Sequence, residues 1–391
     1  MSRGLVSRHA VALEGTGDSG VPARRACLLR TGALPRAAGT TVTAPRTVVL
    51  TSAAGGVGTA VQQAAEVSAH AYTVIGLSSE PAHLLSGAPA LACPPTRDRV
   101  RFSERVLALV ERAGPCLVVP GRDEDAVVLC ERAAELAPLG ASLTSGPGPA
   151  VRQAYDKALT PALLAGSALS MARTAATLPD ALAVAEQVGY PLLIKPRRGN
   201  ASRGVRLAHG SGELRRLFVP MQDVAQELLP LVADDRRPWD HHGDERAQVG
   251  EYSLQFLIGP AGDDLGCFAS RNNLSGGTPR LVEVVDARTL GIGTRAHEAL
   301  TRSGAWGAWN LQGRLAPCGT LRFFEINARP TGLTGLRARL GFNELDRLYE
   351  ACVLRRLPPP ARPPVPGQVI DVSGPQGDAG PVLRRRGEEA S

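Results

Sequence analysis

The stretch Leu321-Arg-Phe-Phe-Glu-Ile-Asn-Ala-Arg329 spaces polar residues two apart in an otherwise apolar run, which is typical of a strand with one polar face. Side chains two apart in a strand point to the same side, so Glu325 and Asn327 share a face. Residues 309–315 read as the preceding strand of a hairpin, which brings Gln312 close to Glu325. Three oxygen ligands on one face suit Mg²⁺, which takes few protein ligands together with phosphate oxygens.

Two lysines strengthen the case for a phosphate site. Lys157 and Lys195 are the only lysines among 44 Lys and Arg residues, so Arg supplies every other long basic side chain. A retained lysine marks a place that needs a compact ammonium, which fits among phosphate oxygens. Lys157 stands at the predicted start of a helix, and Lys195 ends the apolar strand 190–196. A loop follows in which the backbone N–H groups around Ser202 and Gly204 could cover a triphosphate.

Further parts of a nucleotide site lie downstream. The stretch Ala225-Gln-Glu-Leu-Leu229 resembles a hinge strand that reads adenine through backbone groups. Residues 251–258 alternate polar and apolar side chains, which predicts a half-buried antiparallel strand beginning with Glu251, a candidate for holding ribose hydroxyls. Arg329 is a candidate to offset charge on an acyl phosphate. Arg271 is the candidate for gripping a substrate carboxylate through two parallel hydrogen bonds.

A glycine-rich turn near the start offers a competing site. The turn Ala53-Ala-Gly-Gly-Val-Gly58 lies between a predicted strand and a predicted helix, where glycines let the backbone approach a pyrophosphate. It resembles the NADP-binding turn of medium-chain dehydrogenases, so an NADP-dependent oxidoreductase is an alternative function. The acidic residue expected about 20 residues later is missing, since the second strand ends in Gly76-Leu-Ser-Ser79. A turn without a ligand is therefore the favoured interpretation.

Composition excludes several classes of protein. The chain has 391 residues, a length that predicts two to three folded domains. Of these residues 43% are hydrophobic, and the formal charge is +7. It contains neither an apolar run of about 18 residues nor the apolar core of a secretory signal, so we expect no membrane partner. Basic residues do not alternate with aromatic ones, which argues against nucleic acid. Seven scattered cysteines predict buried thiols in a reducing compartment, the cytoplasm.

Together these motifs resemble the ATP-grasp superfamily, in its carbamoyl-phosphate-synthase-like and biotin-carboxylase-like branch. The resemblance spans about residues 120–350 and rests on Asp156-Lys157, Tyr190-Pro-Leu-Leu-Ile-Lys195-Pro, the loop to Gly204, Gln226-Glu227, Glu251-Tyr-Ser, Asn310-Leu-Gln312 and Phe324-Glu-Ile-Asn-Ala-Arg329. It implies an α/β fold, α+β in its second part, with a Rossmann-like pre-ATP-grasp domain at 47–150 and a two-lobed ATP-grasp domain at 151–355. Residues 1–46 and the Pro/Gly-rich tail 356–391 are predicted to be mostly disordered.

The resemblance also implies a role for each motif. It implies phosphate contacts for Lys157, Lys195, Ser202 and Gly204, adenine contacts for Gln226, Glu227 and Leu228, a ribose contact for Glu251, and metal ligation by Gln312, Glu325 and Asn327. The implied enzyme is a ligase that uses ATP and Mg²⁺ (or Mn²⁺) to phosphorylate a small-molecule or peptide carboxylate and couples it to an amine. Relatives in this branch are often dimers, which makes a homodimer a candidate assembly, but the sequence leaves the oligomeric state open.

Two points stay open at the level of sequence. A non-catalytic ATP-binding module is a second alternative, although the intact metal set argues against it. The segment 231–250, which contains Trp239-Asp-His-His-Gly, departs from the family pattern and is interpreted as an exposed polar insertion rather than a metal site. The motifs do not encode the identity of the acid or the amine.

Overall fold

The first part of the described chain is built around a parallel sheet. The computed structural model describes residues 45–80, 90–146, 148–199, 203–229, 247–275, 278–287, 290–361, 365–372 and 382–385. The strands of the parallel sheet are β1 (Arg46–Leu50), β2 (Tyr72–Ser78), β3 (Ala90–Ala92), β4 (Leu117–Val119) and β5 (Ser142–Leu143), in the order β3-β2-β1-β4-β5. The accompanying helices are α1 (Gly56–Glu66), α2 (Arg99–Ala113), α3 (Asp123–Cys130), α4 (Ala133–Leu136) and α5 (Gly148–Tyr155). This strand order is that of a Rossmann-like unit, as the sequence predicts.

A small antiparallel sheet follows. Its strands are β7 (Thr174–Ala175), β8 (Leu192–Pro196), β9 (Arg206–Ala208) and β10 (Asp223–Glu227), in the order β7-β10-β8-β9. The helices α6 (Leu178–Val188) and α7 (Ser211–Leu217) contribute to an apolar core that includes Ala181, Leu192, Ile194 and Leu214. The predicted lysine-bearing strand and the predicted hinge strand are therefore neighbours, β8 and β10, in one sheet.

A large sheet completes the architecture. Its strands are β6 (Ser170–Met171), β11 (Ala247–Ile258), β12 (Asp264–Ser275), β13 (Thr278–Val285), β14 (Gly307–Leu315), β15 (Leu321–Asn327), β16 (Gln368–Asp371) and β17 (Val382–Arg385). Their order is β17-β16-β13-β12-β11-β14-β15-β6, and all pairs except β15 with β6 are antiparallel. The remaining α-helices described are α8 (Gly293–Arg302), α9 (Thr334–Arg339) and α10 (Glu344–Leu348). Short 3₁₀ helices cover Ala137–Leu139 and Thr160–Leu164, and a π-helical turn covers Tyr349–Val353. The predicted hairpin is β14 with β15.

The central strand β11 differs from the expectation in one respect. Its apolar side chains, Leu254 and Phe256 among them, belong to the main core, as the alternation predicts. Its polar side chains are also buried, because Glu251, Ser253 and Gln255 are at most 4% exposed. The prediction of a half-buried strand is therefore wrong. A polar face of this sheet is enclosed within the protein.

Close packing accounts for one glycine of the glycine-rich turn. A Cβ atom on Gly58 would lie 2.3 Å from the carbonyl oxygen of Ala53, which real Cβ atoms essentially never approach so closely. The N–H of Ala53 donates to the carbonyl of Leu77 at 2.9 Å and fixes that part of the turn. Gly58 is thus required where α1 packs on the turn after β1, whether or not a ligand binds there.

Other expectations can be compared with the described residues. Cys116, Cys130 and Cys352 are free and buried, as predicted, whereas Cys318 is exposed. None of the helices in the described ranges combines the length and the apolarity that a bilayer span requires. The predicted N-terminal extension falls almost wholly, and the predicted insertion falls largely, outside the described residues. Half of the tail 356–391 is described, and its strands β16 and β17 belong to the large sheet, so the prediction of disorder is wrong for those strands. The domain boundaries stay predictions.

Two glycines of α1 provide a matched test of this packing. We expect Gly58→Ala to lower the free energy of unfolding by about 1–3 kcal/mol, because the backbone of the turn must shift. Gly56→Ala should leave that free energy unchanged or raise it by up to about 1 kcal/mol, because its Cβ position has no atom within 4 Å. Urea denaturation of both variants measures the difference. Equal effects in the two variants would contradict the packing argument.

Candidate active site

The two lysines meet at the β14–β15 hairpin. The ammonium nitrogen of Lys157 lies 3.7 Å from a carboxylate oxygen of Glu325 and donates to the carbonyl of Gly199 at 2.7 Å. The ammonium of Lys195 donates to the carbonyl of Phe324 at 3.3 Å. Both lysines are buried. Two cations far apart in the chain therefore flank one carboxylate.

Asp156 holds the segment that carries Lys157. The guanidinium of Arg197 donates to both oxygens of Asp156, at 2.9 and 2.8 Å, and the carbonyl of Arg197 accepts from the N–H of Lys157 at 2.9 Å. These bonds tie the end of β8 to the segment after α5. The sequence predicted that Asp156 and Lys157 open a helix, which is wrong. They follow α5, and the carbonyl of Asp156 accepts from the N–H of Leu159, which forms a turn.

The three predicted metal ligands share one face of the large sheet. Gln312 lies directly opposite Glu325, and Asn310 directly opposite Asn327, in the pairing of β14 with β15. The amide of Gln312 donates to the carboxylate of Glu251 at 3.0 Å, and its oxygen lies 3.4 Å from the amide nitrogen of Asn327. The spacing read from the sequence thus brings Gln312, Glu325 and Asn327 together.

Burial and the neighbouring charges oppose each other in this cluster. Burial alone would raise the pKa of Glu325, but the charges of Lys157, Lys195 and Arg329 outweigh it and lower that pKa. Burial lowers the pKa of Lys195 to about 8, although Glu325 opposes the shift. Burial raises the pKa of Glu251 to about 7. Glu325 is therefore held ionised, while Lys195 and Glu251 titrate near neutral pH.

The side chains of the predicted adenine segment bind other parts of the protein. The amide of Gln226 donates to the hydroxyl of Thr174 at 2.8 Å and to the carbonyl of Phe324 at 3.2 Å. Both oxygens of Glu227 accept from Arg322, at 2.5 and 2.6 Å. The side-chain oxygen of Gln226 has no hydrogen-bond partner among the described residues, and the N–H of Glu227 donates to the carbonyl of Arg173 at 2.9 Å. The adenine contacts of this segment stay a prediction.

An open cleft lies beside this segment. Its volume is about 660 Å³, and its wall includes Tyr190, Glu227, Leu228, Arg314 and Arg322. The ion pair of Arg322 with Glu227 joins β15 of the large sheet to the end of β10. The cleft therefore lies between the two sheets, with part of the predicted adenine segment in its wall.

Arg329 makes a contact that the sequence did not predict. Its guanidinium donates to the carboxylate of Asp123 at 2.7 Å, and both side chains are largely buried. Asp123 is the first residue of α3, beside the parallel sheet. In the sequence, only the position of Asp123 after a buried strand hints at a role for this residue. No sequence pattern pairs it with Arg329.

The structure does not bring Arg271 to the other candidate residues. Arg271 lies opposite Tyr252 on β11, whereas Gln312 lies opposite Ser253. Consecutive residues of a strand point to opposite faces, so Arg271 and Gln312 are on different sides of the sheet. A nitrogen of Arg271 is 3.8 Å from a carboxylate oxygen of Glu283. The geometry thus gives no support to the role predicted for Arg271.

The loop after β8 is described only in part. Ser202 lies outside the described residues, so its predicted contact stays a prediction. Gly204 has a φ of 73°, in the left-handed region that favours glycine, and a Cβ there would approach Pro196 to 3.1 Å. The backbone of the loop explains this glycine.

The pair Glu227–Arg322 generates a stability prediction. We expect Glu227→Gln to lower the free energy of unfolding by about 1–3 kcal/mol at neutral pH, because it breaks a largely buried two-bond ion pair. The pKa of Glu227 is lowered in the folded protein, burial being outweighed by hydrogen bonds from Arg322 and a backbone N–H. This stabilisation is present above the unfolded pKa of about 4.3 and is lost as the pH falls through the folded pKa.

The control for that variant is an exposed pair. Glu213 lies 3.8 Å from Arg216 on α7, so Glu213→Gln should change the free energy of unfolding by less than about 0.5 kcal/mol. Urea unfolding of the wild type and both variants, at neutral and acidic pH, measures these values. A Glu227→Gln effect as small as that of the control would refute the structural role of the pair.

One segment of the chain matches a known family in sequence. Residues 154–229, which contain both lysines and the predicted adenine segment, match the carbamoyl-phosphate synthase L chain, ATP binding domain. No curated protein matches the chain in sequence. The match stands independently of the contacts around Glu325, because that residue lies outside it.

Solved structures resemble a much larger part of the chain. The N5-carboxyaminoimidazole synthetase from Staphylococcus aureus is 14% identical, with a TM-score of 0.56 over 83% of this chain and 82% of that one. The biotin carboxylase domain of the Hydrogenobacter thermophilus 2-oxoglutarate carboxylase is 15% identical (TM-score 0.58; 83% and 73%). The Aspergillus clavatus carboxyaminoimidazole ribonucleotide synthase is 16% identical (TM-score 0.58; 84% and 81%). These structures show that the chain has the two-lobed ATP-grasp fold, and the sequence match over residues 154–229 agrees with the resemblance to the carbamoyl-phosphate-synthase-like and biotin-carboxylase-like branch.

Proposed function

We propose that the chain is an ATP-dependent ligase that phosphorylates a substrate carboxylate and couples the acyl phosphate to an amine. The observation that carries the proposal is the position of the two lysines, which flank the Glu325 carboxylate beside Gln312 and Asn327. Moving a phosphoryl group onto a carboxylate requires charge neutralisation more than covalent help from the protein. Such a cluster of cations and oxygen ligands provides that environment.

The oxygen ligands fit a hard divalent cation. Glu325 is held ionised, and Gln312 and Asn327 add neutral amide oxygens from the same face. Mg²⁺ is bound well by one or two carboxylates together with substrate phosphates. A bound Mg²⁺ or Mn²⁺ would neutralise charge on the transferred phosphoryl group. Among the described residues no group of three His, Cys, Asp or Glu forms a metal site, so this mixed set is the candidate.

The nucleotide and its products bind to related folds. The Aspergillus clavatus structure was solved with ATP, and the Hydrogenobacter thermophilus domain with MgADP and bicarbonate. In this chain we assign the triphosphate to Lys157 and Lys195. The backbone of 226–228 would then receive adenine, and Glu251 the ribose. Arg329, held by Asp123, would face the acyl phosphate, and the loop around Gly204 would exclude water.

The two alternative functions are less well supported. An NADP-dependent oxidoreductase would use the glycine-rich turn, yet Gly58 is already explained by packing, and such an enzyme would have no use for the lysine cluster. A non-catalytic ATP-binding module would have no need for an ionised Glu325 between amide ligands. The partners we propose are a small-molecule or peptide acid and an amine, with a homodimer as the assembly, since the Hydrogenobacter domain is a dimer.

Ligand-dependent melting temperatures test the proposal. Mg-ATP at about a hundred times its Kd should stabilise the wild type by about 2.7 kcal/mol, and a chelator should reduce the shift. Lys195→Met should abolish the shift, because it removes a phosphate contact. Arg302→Met, an exposed change on α8, should retain it. A shift with NADPH alone would favour the oxidoreductase. A shift with Mg-ATP, but no ADP release with any pair in a screen of acids and amines, would favour the non-catalytic module.

The pH dependence of nucleotide affinity tests the role of Lys195 separately. The pKa of this lysine is lowered to about 8, so in the free protein it loses its charge as the pH rises through that value. We therefore expect the Kd of Mg-ATP to rise above pH 8, by up to about tenfold per pH unit. Lys195→Arg should lose this dependence, because a guanidinium stays charged. Calorimetric titrations between about pH 7 and 9 measure it, and parallel profiles for the two proteins would refute the assignment.

A further inference from the structure

The polar face of the large sheet continues beyond the metal ligands. Ser253 lies opposite both Gln312 and Ser270, and Asn310 lies opposite both Asn327 and Gln255. Asn272 lies opposite Glu251. Directly opposed residues of antiparallel strands share a face, with Cβ atoms about 5 Å apart. We call this continuation the polar floor, and its members are Ser253, Gln255, Ser270, Asn272 and Asn310.

The polar floor is buried but incompletely hydrogen-bonded. All five residues are at most 3% exposed. Four of them carry a buried atom without a hydrogen-bond partner, namely Gln255 Nε2, Ser270 Oγ, Asn272 Oδ1 and Asn310 Oδ1. A buried polar atom without a partner is strongly unfavourable, and such atoms are few in native proteins. Four on one surface indicate that something outside the described chain completes them.

The amides of Asn310 and Gln255 each form hydrogen bonds through only one of their two polar atoms. The amide nitrogen of Asn310 donates to the Ser253 hydroxyl at 2.8 Å, which leaves its oxygen unpaired. Arg337 donates to the oxygen of Gln255 at 3.1 Å, which leaves the nitrogen of that amide unpaired. Exchanging the oxygen and nitrogen of either amide leaves one atom unpaired all the same. The deficit is therefore a property of the site.

The polar floor carries no net charge. Its own side chains are neutral, and the adjacent Arg337 and Glu344 form a fully buried ion pair at 2.7 Å that is itself neutral. Arg337 Nε and Nη2 and Glu344 Oε2 also have no hydrogen-bond partner among the described residues. The other cation considered for a carboxylate, Arg271, is on the opposite face. A substrate carboxylate would thus find its cations at the metal end, near Arg329 and the lysines. The polar floor suits a different group.

From these observations we infer that the polar floor is the subsite of the amine acceptor, and that it binds an uncharged hydroxyl or carboxamide of that substrate. The inference rests on the proposed function and specifies its second substrate. The unpaired atoms include a donor, acceptors and a hydroxyl that serves as either, so the ligand must donate and accept. A carboxylate cannot donate, an alkyl group does neither, and each would leave buried atoms unpaired.

Two serines that lie directly opposite each other test, without any ligand, whether the Ser270 hydroxyl lacks a hydrogen-bond partner. The hydroxyl of Ser253 has a partner, and that of Ser270 has none. Ser253→Ala should lower the melting temperature by about 2–4 °C, whereas Ser270→Ala should leave it unchanged or raise it by about 2 °C. Equal losses would mean that ordered water already satisfies Ser270, and that result would overturn the inference.

Four small amines test the ligand class in the chain saturated with Mg-AMPPNP. Glycinamide and glycine differ in charge at nearly constant shape, and ethanolamine and propylamine differ by a hydroxyl in place of a methyl. We expect glycinamide and ethanolamine to raise the melting temperature by about 2 °C or more, and glycine and propylamine to leave it unchanged. Ser270→Ala should remove the response. The absence of this preference, including no response to any amine, overturns the inference.

Failure of the inference can be distinguished from failure of the proposed function. A normal shift with Mg-AMPPNP but no preference among the amines refutes only the acceptor subsite. No shift with Mg-AMPPNP refutes the proposed function. In that case the comparison of Ser253→Ala with Ser270→Ala still decides whether the Ser270 hydroxyl of the polar floor lacks a partner, because it involves no nucleotide.

Discussion

The carboxylate of Glu325 is the point on which the arrangement of this site depends. It comes from the large sheet, one flanking lysine comes from the small sheet, and the other from the segment after α5. Arg329, two residues beyond Asn327, carries the connection to Asp123 beside the parallel sheet. Buried charges of this kind cost desolvation energy and rarely stabilise a fold more than apolar packing would. The proposed phosphate site gives these buried charges a role that stability alone does not.

The same cluster explains why the charged groups near it have shifted pKa values. Lys195 loses part of its proton affinity through burial, and Glu251 gains affinity for the same reason. Glu325 behaves differently because three cations act on it at once. A site that binds a polyanion benefits from cations that are poorly solvated before the ligand arrives, since little water then has to be displaced. The free protein is thus prepared for an anionic ligand at some expense to its stability.

Local patterns predicted the parts of the site that depend on spacing. Glu325 and Asn327 share a face because they are two apart, and Gln312 meets them because the hairpin turn fixes the register. The scarcity of lysine located both cations. Contacts between distant elements could not be read in the same way. Asp123 pairs with Arg329 only because the parallel sheet packs beside the hairpin, and no local rule encodes that.

The ambiguous and the incorrect expectations have equally physical reasons. Arg271 was considered for the site by its residue type, but the parity of its strand pairing turns it to the other face. The glycine-rich turn matches a ligand-binding motif, yet a close approach of helix and turn demands the same residue at Gly58. The alternation along β11 correctly predicted which side chains share a face, but it wrongly predicted that the polar face is exposed. Alternation reports the polarity of a face and not whether another part of the protein covers it.

That enclosed polar face has two chemically different regions. At the proposed metal end, Lys157, Lys195 and Arg329 surround the single carboxylate of Glu325, so an anionic ligand is favoured there. On the polar floor, neutral amides and hydroxyls lie side by side with unpaired atoms, so discrimination there depends on hydrogen bonds. Sites built to hydrogen-bond a substrate reject analogues that lack the group far more strongly than apolar pockets reject a missing methylene. Under the proposed function, specificity for the acceptor would therefore be set on the polar floor, and charge neutralisation for phosphoryl transfer would take place at the metal end.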